Sequence, residues 1–122
     1  MNIRLQQCLL LLPALMLCAC ATTTVSESQS QTDIAFNLIK QKDYASAKPH
    51  LDQALESDPH NAMAHLDLGV VYQNTGDPAG ARTEYNQAIT DDPASDKMVG
   101  ATSDSSNGSV TQIATRNLQH LN

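Results

Sequence analysis

The side chains best suited to chemistry are three histidines, His50, His60 and His65, and the aspartates Asp91, Asp92 and Asp96. Imidazole and carboxylate groups could ligate a divalent cation, but zinc needs several ligands at fixed geometry and no cysteine or acidic cluster completes such a set. No twelve-residue calcium loop surrounds the aspartates. The histidines therefore read as solvent-exposed, and Asp91-Asp92 as a solvated helix end. No glycine-rich phosphate loop, nucleophile elbow or zinc-protease motif is present. The chain thus reads as no enzyme, with no metal and no cofactor. The other reactive groups are the thiols of Cys8, Cys18 and Cys20, all near the N-terminus.

Those thiols lie in or just after an apolar run. One cation, Arg4, precedes the stretch from Cys8 to Ala19, which is too short to span a bilayer comfortably and has the form of a secretory signal core. Its end, Leu17-Cys18-Ala19-Cys20, resembles the lipobox of bacterial lipoproteins. That resemblance implies cleavage after residue 19 and a diacylglycerol on the Cys20 thiol, with Ala19 as the small residue before the cut. Cys18 is less usual in that pattern, and an ordinary signal peptide or an uncleaved anchor stays open beside it. The processed chain would keep Cys20 alone, with no disulfide, so its stability would come from packing. Two or three acyl chains anchor firmly where one does not. Ala21, rather than Asp, after the lipidated cysteine implies the outer membrane, with the protein facing the periplasm.

Without Arg4, six basic residues face thirteen acidic ones, with no basic cluster, one phenylalanine and no tryptophan. Such a balance argues against nucleic acid or anionic headgroups as partners. Residues 20–31 read as the lipidated cysteine and a flexible tether rich in Thr, Ser and Gln, able to reach roughly 40 Å when extended.

Four helices are predicted between Thr32 and Thr90. The first buries Ile34, Ala35, Leu38 and Ile39. The second follows an Asp43 cap and buries Ala47, Leu51, Ala54 and Leu55, with a small kink expected at Pro49. The third follows Asn61 and uses Leu66, Leu68, Gly69, Val70 and Tyr72. The fourth has an Asp77 cap, Pro78 at its first position, and a face of Ala81, Tyr85, Ala88 and Ile89. A polar loop over 96–108 leads to a capping box at Ser109. A closing helix over 109–121 follows, with Val110, Ile113, Ala114, Leu118 and Leu121 on one face.

The helices repeat. Residues 28–61 superpose on 62–95 at an offset of thirty-four, matching Ile34 to Leu68, Ala35 to Gly69, Leu38 to Tyr72, Ala47 to Ala81, Leu51 to Tyr85, Ala54 to Ala88 and Pro59 to Pro93. That period marks stacked helical hairpins. On these residues the chain resembles the tetratricopeptide repeat family, most specifically at Leu68, Gly69, Tyr72, Ala81, Tyr85, Ala88 and Pro93, with His65 where tryptophan is usual. The expected fold is all-α: two hairpins of an α-solenoid over 32–95 and a C-terminal helix. A third copy fails, because Thr102, Ser103 and Ser106 would take its core positions. The closing helix would then cap the fourth helix, dock a partner, or exchange between two copies as a homodimer.

The resemblance implies a concave groove lined by the first helix of each hairpin. Its positions are Gln29, Thr32, Phe36, Ile39 and Lys40, then Met63, Leu66, Val70, Gln73 and Asn74. The Lys/Asn carboxylate clamp of some relatives is absent. An apolar groove suits an amphipathic helix or extended segment of a partner protein; equally, it could pack against residues 94–121. The expected role is a membrane-anchored adaptor for protein–protein interaction in envelope assembly. Pilotins, tight-adherence pilus assembly lipoproteins and scaffolds of cell-wall enzymes are similar, and the residues do not choose among them. The alternative is a carrier of an apolar small molecule or acyl chain.

Overall fold

The computed structural model describes the backbone of residues 20–92 and 108–121, with side chains from Glu27 onward. The signal segment 1–19, Pro93 and most of the 96–108 loop lie outside the described residues. Among the described residues there are five helices: α1 (Cys20–Lys40), α2 (Tyr44–Ser57), α3 (Ala62–Thr75), α4 (Pro78–Asp91) and α5 (Val110–His120). None is long and apolar enough to cross a membrane.

The helix starts follow the capping residues. The Asp43, Asn61 and Asp77 side chains accept from the backbone N–H groups of Ser46, Ala64 and Gly80, at 3.1, 3.0 and 2.8 Å. Each satisfies a donor that the first turn leaves unpaired. Ser109 accepts from Gln112 N in the same way at the start of α5. Pro49 sits on the exposed side of α2, which runs unbroken through it. At that point only the bond to the Ala45 carbonyl is forgone.

α1 pairs with α2, α3 pairs with α4, and α3 joins the two hairpins. Ala47, Ala54, Ala81 and Ala88 are wholly buried, as is Tyr85. A Cβ on Gly69 would sit 2.5 Å from the Tyr85 ring, so only glycine lets α3 and α4 approach as they do. The apolar residues form two clusters. One joins Ala35, Leu51, Leu68 and Val71; the other joins Leu66, Tyr85 and Ala88 to Ala114 of α5.

Three expectations need correction, the last of them at Asp92 below. Residues 20–31 are not an extended tether, since α1 runs from Cys20. The position matching the Asn61 cap is Glu27, a good helix former rather than a cap, so nothing stops the helix there. Buried bonds also hold it: Ser28 Oγ donates to the Ala54 carbonyl at 2.9 Å, and Asn61 Nδ2 donates to Ser28 Oγ and Thr32 Oγ1 at 2.9 and 3.1 Å. Ile34, placed in the core by its spacing, is instead 40 % exposed. Ala35 next to it takes the buried position, and the helix turn carries Ile34 outward.

α5 caps the array. Its Ala114 is fully buried, and Val110, Ile113, Leu118 and Leu121 pack on the cluster around Tyr85. The start of α5 is tied to α4 by Asp92, whose Oδ2 accepts from Thr111 N and Thr111 Oγ1 at 2.9 and 2.8 Å. Asp92 is therefore a buried structural group rather than part of a solvated helix end.

Candidate functional site

The stacking of α1 against α3 leaves a groove between them, and the 34-residue offset decides what faces it. One end is a polar hollow of about 400 Å³ bounded by Gln29, Thr32, Asp33, Asn61 and Met63. The other is an apolar cavity of about 350 Å³. Its walls are Phe36 and Ile39 of α1, Met63, Leu66 and Val70 of α3, and Ile113 of α5 beside Gly108, with Asp67 also lining it.

The expected groove residues divide three ways. Phe36 and Met63 stand at the rim, 49 % and 45 % exposed, with Ile39 and Val70 half-buried. Leu66 faces the cavity but is only 4 % exposed and belongs to the core cluster with Tyr85 and Ala114. It is a packing residue, because α5 closes over it. Lys40, Gln73 and Asn74 do not line either hollow. Lys40 lies over the Phe36 ring, 5.5 Å from its centre. Gln73 accepts a 2.6 Å bond from the Tyr85 hydroxyl, and Asn74 donates back to the Val70 carbonyl. The six repeat-signature residues from Leu68 to Ala88 sit at the helix crossings or against them.

Asp67 was not anticipated. Its residue is 5 % exposed, and Oδ2 is buried without a hydrogen-bond partner among the described residues. Burial, with a smaller push from the Asp33 charge, raises its pKa to about 7. The signal for it in the sequence is that Asp33 and Asp67 stand thirty-four residues apart, at one position of the repeat.

His50 and His65 are less exposed than expected. His65 Nδ1 lies 2.7 Å from Glu84 Oε2, while Nε2 is 3.1 Å from the Pro59 carbonyl and 3.6 Å from Asp91 Oδ2. With both ring nitrogens facing acceptors, the doubly protonated ring is favoured. Burial lowers its pKa, but the Glu84 bond, the Pro59 carbonyl and the charges of Glu84 and Asp91 outweigh that and raise it. His60, itself exposed, meets Asp91 Oδ1 at 2.9 Å. The first hairpin makes the same cross-helix contact with roles exchanged, His50 Nδ1 lying 2.7 Å from Gln31 Oε1. Among the described residues no group of His, Cys, Asp and Glu could hold a metal.

No curated protein and no solved structure matches the chain. Hairpins at a 34-residue spacing, small residues at their crossings and a groove along their first helices are what the tetratricopeptide repeat pattern requires. The family model for the tetratricopeptide repeat matches residues 38–101, just over half of the chain, and the chain belongs to that family.

Proposed function

We propose that this protein is a lipid-anchored adaptor of the bacterial envelope that holds a partner protein in the α1–α3 groove. Proteins of its family act mainly through protein–protein interaction, and a binding rather than a catalytic role follows at that level. The observation carrying the docking reading is the pair of large apolar side chains at the groove rim, Phe36 and Met63, each nearly half exposed. Apolar area left in water beside a preformed hollow is surface whose burial by a partner is favourable.

Anchoring rests on the Leu17-Cys18-Ala19-Cys20 run after an apolar stretch, and Ala21 favours the outer membrane. Pilus or secretion assembly and cell-wall complexes are the settings in which such adaptors work. Crosslinking in the envelope, followed by identification of the captured protein, tests the docking role. Capture should be lost in Phe36→Asp/Met63→Asp with helicity unchanged, and capture that survives both changes places the partner elsewhere. Fractionation tests the anchor: Cys20→Ala should release the protein from the membrane and remove the lipid mass.

The apolar cavity favours a second reading, a carrier of a small apolar molecule. Its volume of about 350 Å³ lies near the lower end for small-molecule pockets. Native mass spectrometry separates the two, since a carrier should retain a hydrophobic ligand through purification.

A further inference from the structure

The repeat places one aspartate at the same register of each first helix: Asp33 on α1 and Asp67 on α3. Asp33 bounds the polar hollow and Asp67 lines the apolar cavity, with Met63 shared between the two spaces. The two carboxylates are close enough for the charge of Asp33 to act on Asp67.

Among the described residues, Asp67 has no structural employment. Oδ2 is buried and unpartnered, and among the described residues no lysine, arginine or histidine forms an ion pair with it. Lys40, a cation of α1, lies over Phe36 instead. Compare Asp92, just as buried, which accepts two bonds from Thr111. A buried carboxylate without a donor is costly, and a hydrogen-bonding cation is the group that would offset the cost, through a charge-assisted bond strengthened by the dry surroundings. The walls around Asp67 are hydrocarbon, so the cation must arrive on an apolar carrier.

We propose that Asp67 receives a single lysine or arginine side chain borne on an otherwise apolar segment of the partner protein, with Phe36, Ile39 and Met63 packing on the flanking residues. This rests on the docking reading above and names its chemistry. The stem of a long basic side chain suits the apolar wall while its head reaches the carboxylate. The acidic balance of the whole chain, thirteen acidic residues against seven basic, favours such a partner in the encounter.

The test is selection of a random twelve-residue peptide library on the full chain, purified in mild detergent, with Asp67→Asn and Lys97→Ala selected in parallel. Asparagine keeps the shape and removes the charge, and circular dichroism checks that each variant is folded. The expected result is enrichment of peptides with one basic residue between apolar ones. Replacing that residue by norleucine should weaken binding at least tenfold to the wild type and less than twofold to Asp67→Asn. Enriched peptides without a basic preference overturn the inference and leave the docking reading standing. Retention of no peptide overturns both. A basic preference that emerges only in Lys97→Ala overturns a partner as the source of the cation and assigns it to the chain's own lysine.

Discussion

At the scale of single residues, the repeat shows where the two copies solve one problem with different side chains. The turn after α3 ends on Gly76 at φ +87°, and its counterpart after α1 is Lys42 at φ +61°. Left-handed backbone costs a non-glycine residue about 1–2 kcal/mol, so Lys42→Gly should stabilise the fold by about 1 kcal/mol after its larger unfolded-state entropy is counted. A rise in the urea midpoint checks this. Gly69→Ala should do the reverse. Its methyl would press on the fully buried Tyr85 ring, and overpacking of this kind costs about 1–3 kcal/mol. Denaturation at equilibrium measures it, and a variant as stable as the wild type would mean that α3 and α4 can separate freely. Gly69 was legible in the sequence as a repeat-signature position. Asp67 was not read as functional, because an aspartate beside Leu66 and Leu68 looks like the polar face of a helix until α1 and α5 cover it.

At the scale of elements, α5 carries the contrast. Its amphipathic face was legible from Val110 to Leu121, but spacing alone left it free to cap, dock or exchange. The contacts of Ala114, and the two bonds from Thr111 to Asp92, make it the cap of the array. Beneath α5 lies the Tyr85 hydroxyl, which burial pushes up to about 12 in pKa. Asp92→Ala should therefore loosen α5 before the rest unfolds. Limited trypsin digestion should cut after Arg116 several-fold faster than in the wild type, with α1–α4 remaining helical. At the other end, α1 holds to α2 and α3 through Ser28, Thr32 and Asn61. Asn61→Ala removes a helix cap and two cross-helix bonds together, and should cost about 1–2 kcal/mol in thermal or chemical denaturation.

At the scale of the whole molecule, buried titratable groups bias the fold toward acid. Asp67 has a folded pKa of about 7 against 3.8 for an ordinary aspartate. Burial and the Asp33 charge from α1 raise it; the Tyr85 phenol of α4, itself pushed up by burial and by Asp67, stays neutral over this range, and α5 presents Ile113 to the same cavity. Between those values the native state binds more protons than the unfolded chain, so stability falls as pH rises from about 4 to about 7. The full shift corresponds to roughly 4 kcal/mol. His65, raised above its ordinary value, adds stability that is complete below about pH 6.5 and lost as pH climbs through its folded pKa. Asp91 works oppositely. Burial raises its pKa, but the Gln87 bond and His60 outweigh that and lower it, so its contribution is lost on acidification below about pH 3.8. Maximum stability is expected near pH 4, and most of the fall toward neutrality should disappear in Asp67→Asn. A flat wild-type profile of urea midpoints against pH would contradict the burial of Asp67.

The sequence by itself determined the hairpins. Caps at Asp43, Asn61 and Asp77 and small residues at the crossings are local signals, each written within a few positions of where it acts, and the 34-residue offset shows them twice. Tertiary structure alone decided which side chains lie open. Phe36 stays at the rim while Leu66, at a neighbouring groove position, becomes core; Ser28 leaves a supposed tether to bond α2; His65 finds Glu84; and Asp67 is buried with no donor to Oδ2 among the described residues. Burial is set by elements distant in sequence, here α5 folding back on α3 and α4, and no periodicity within one helix can report what another will cover.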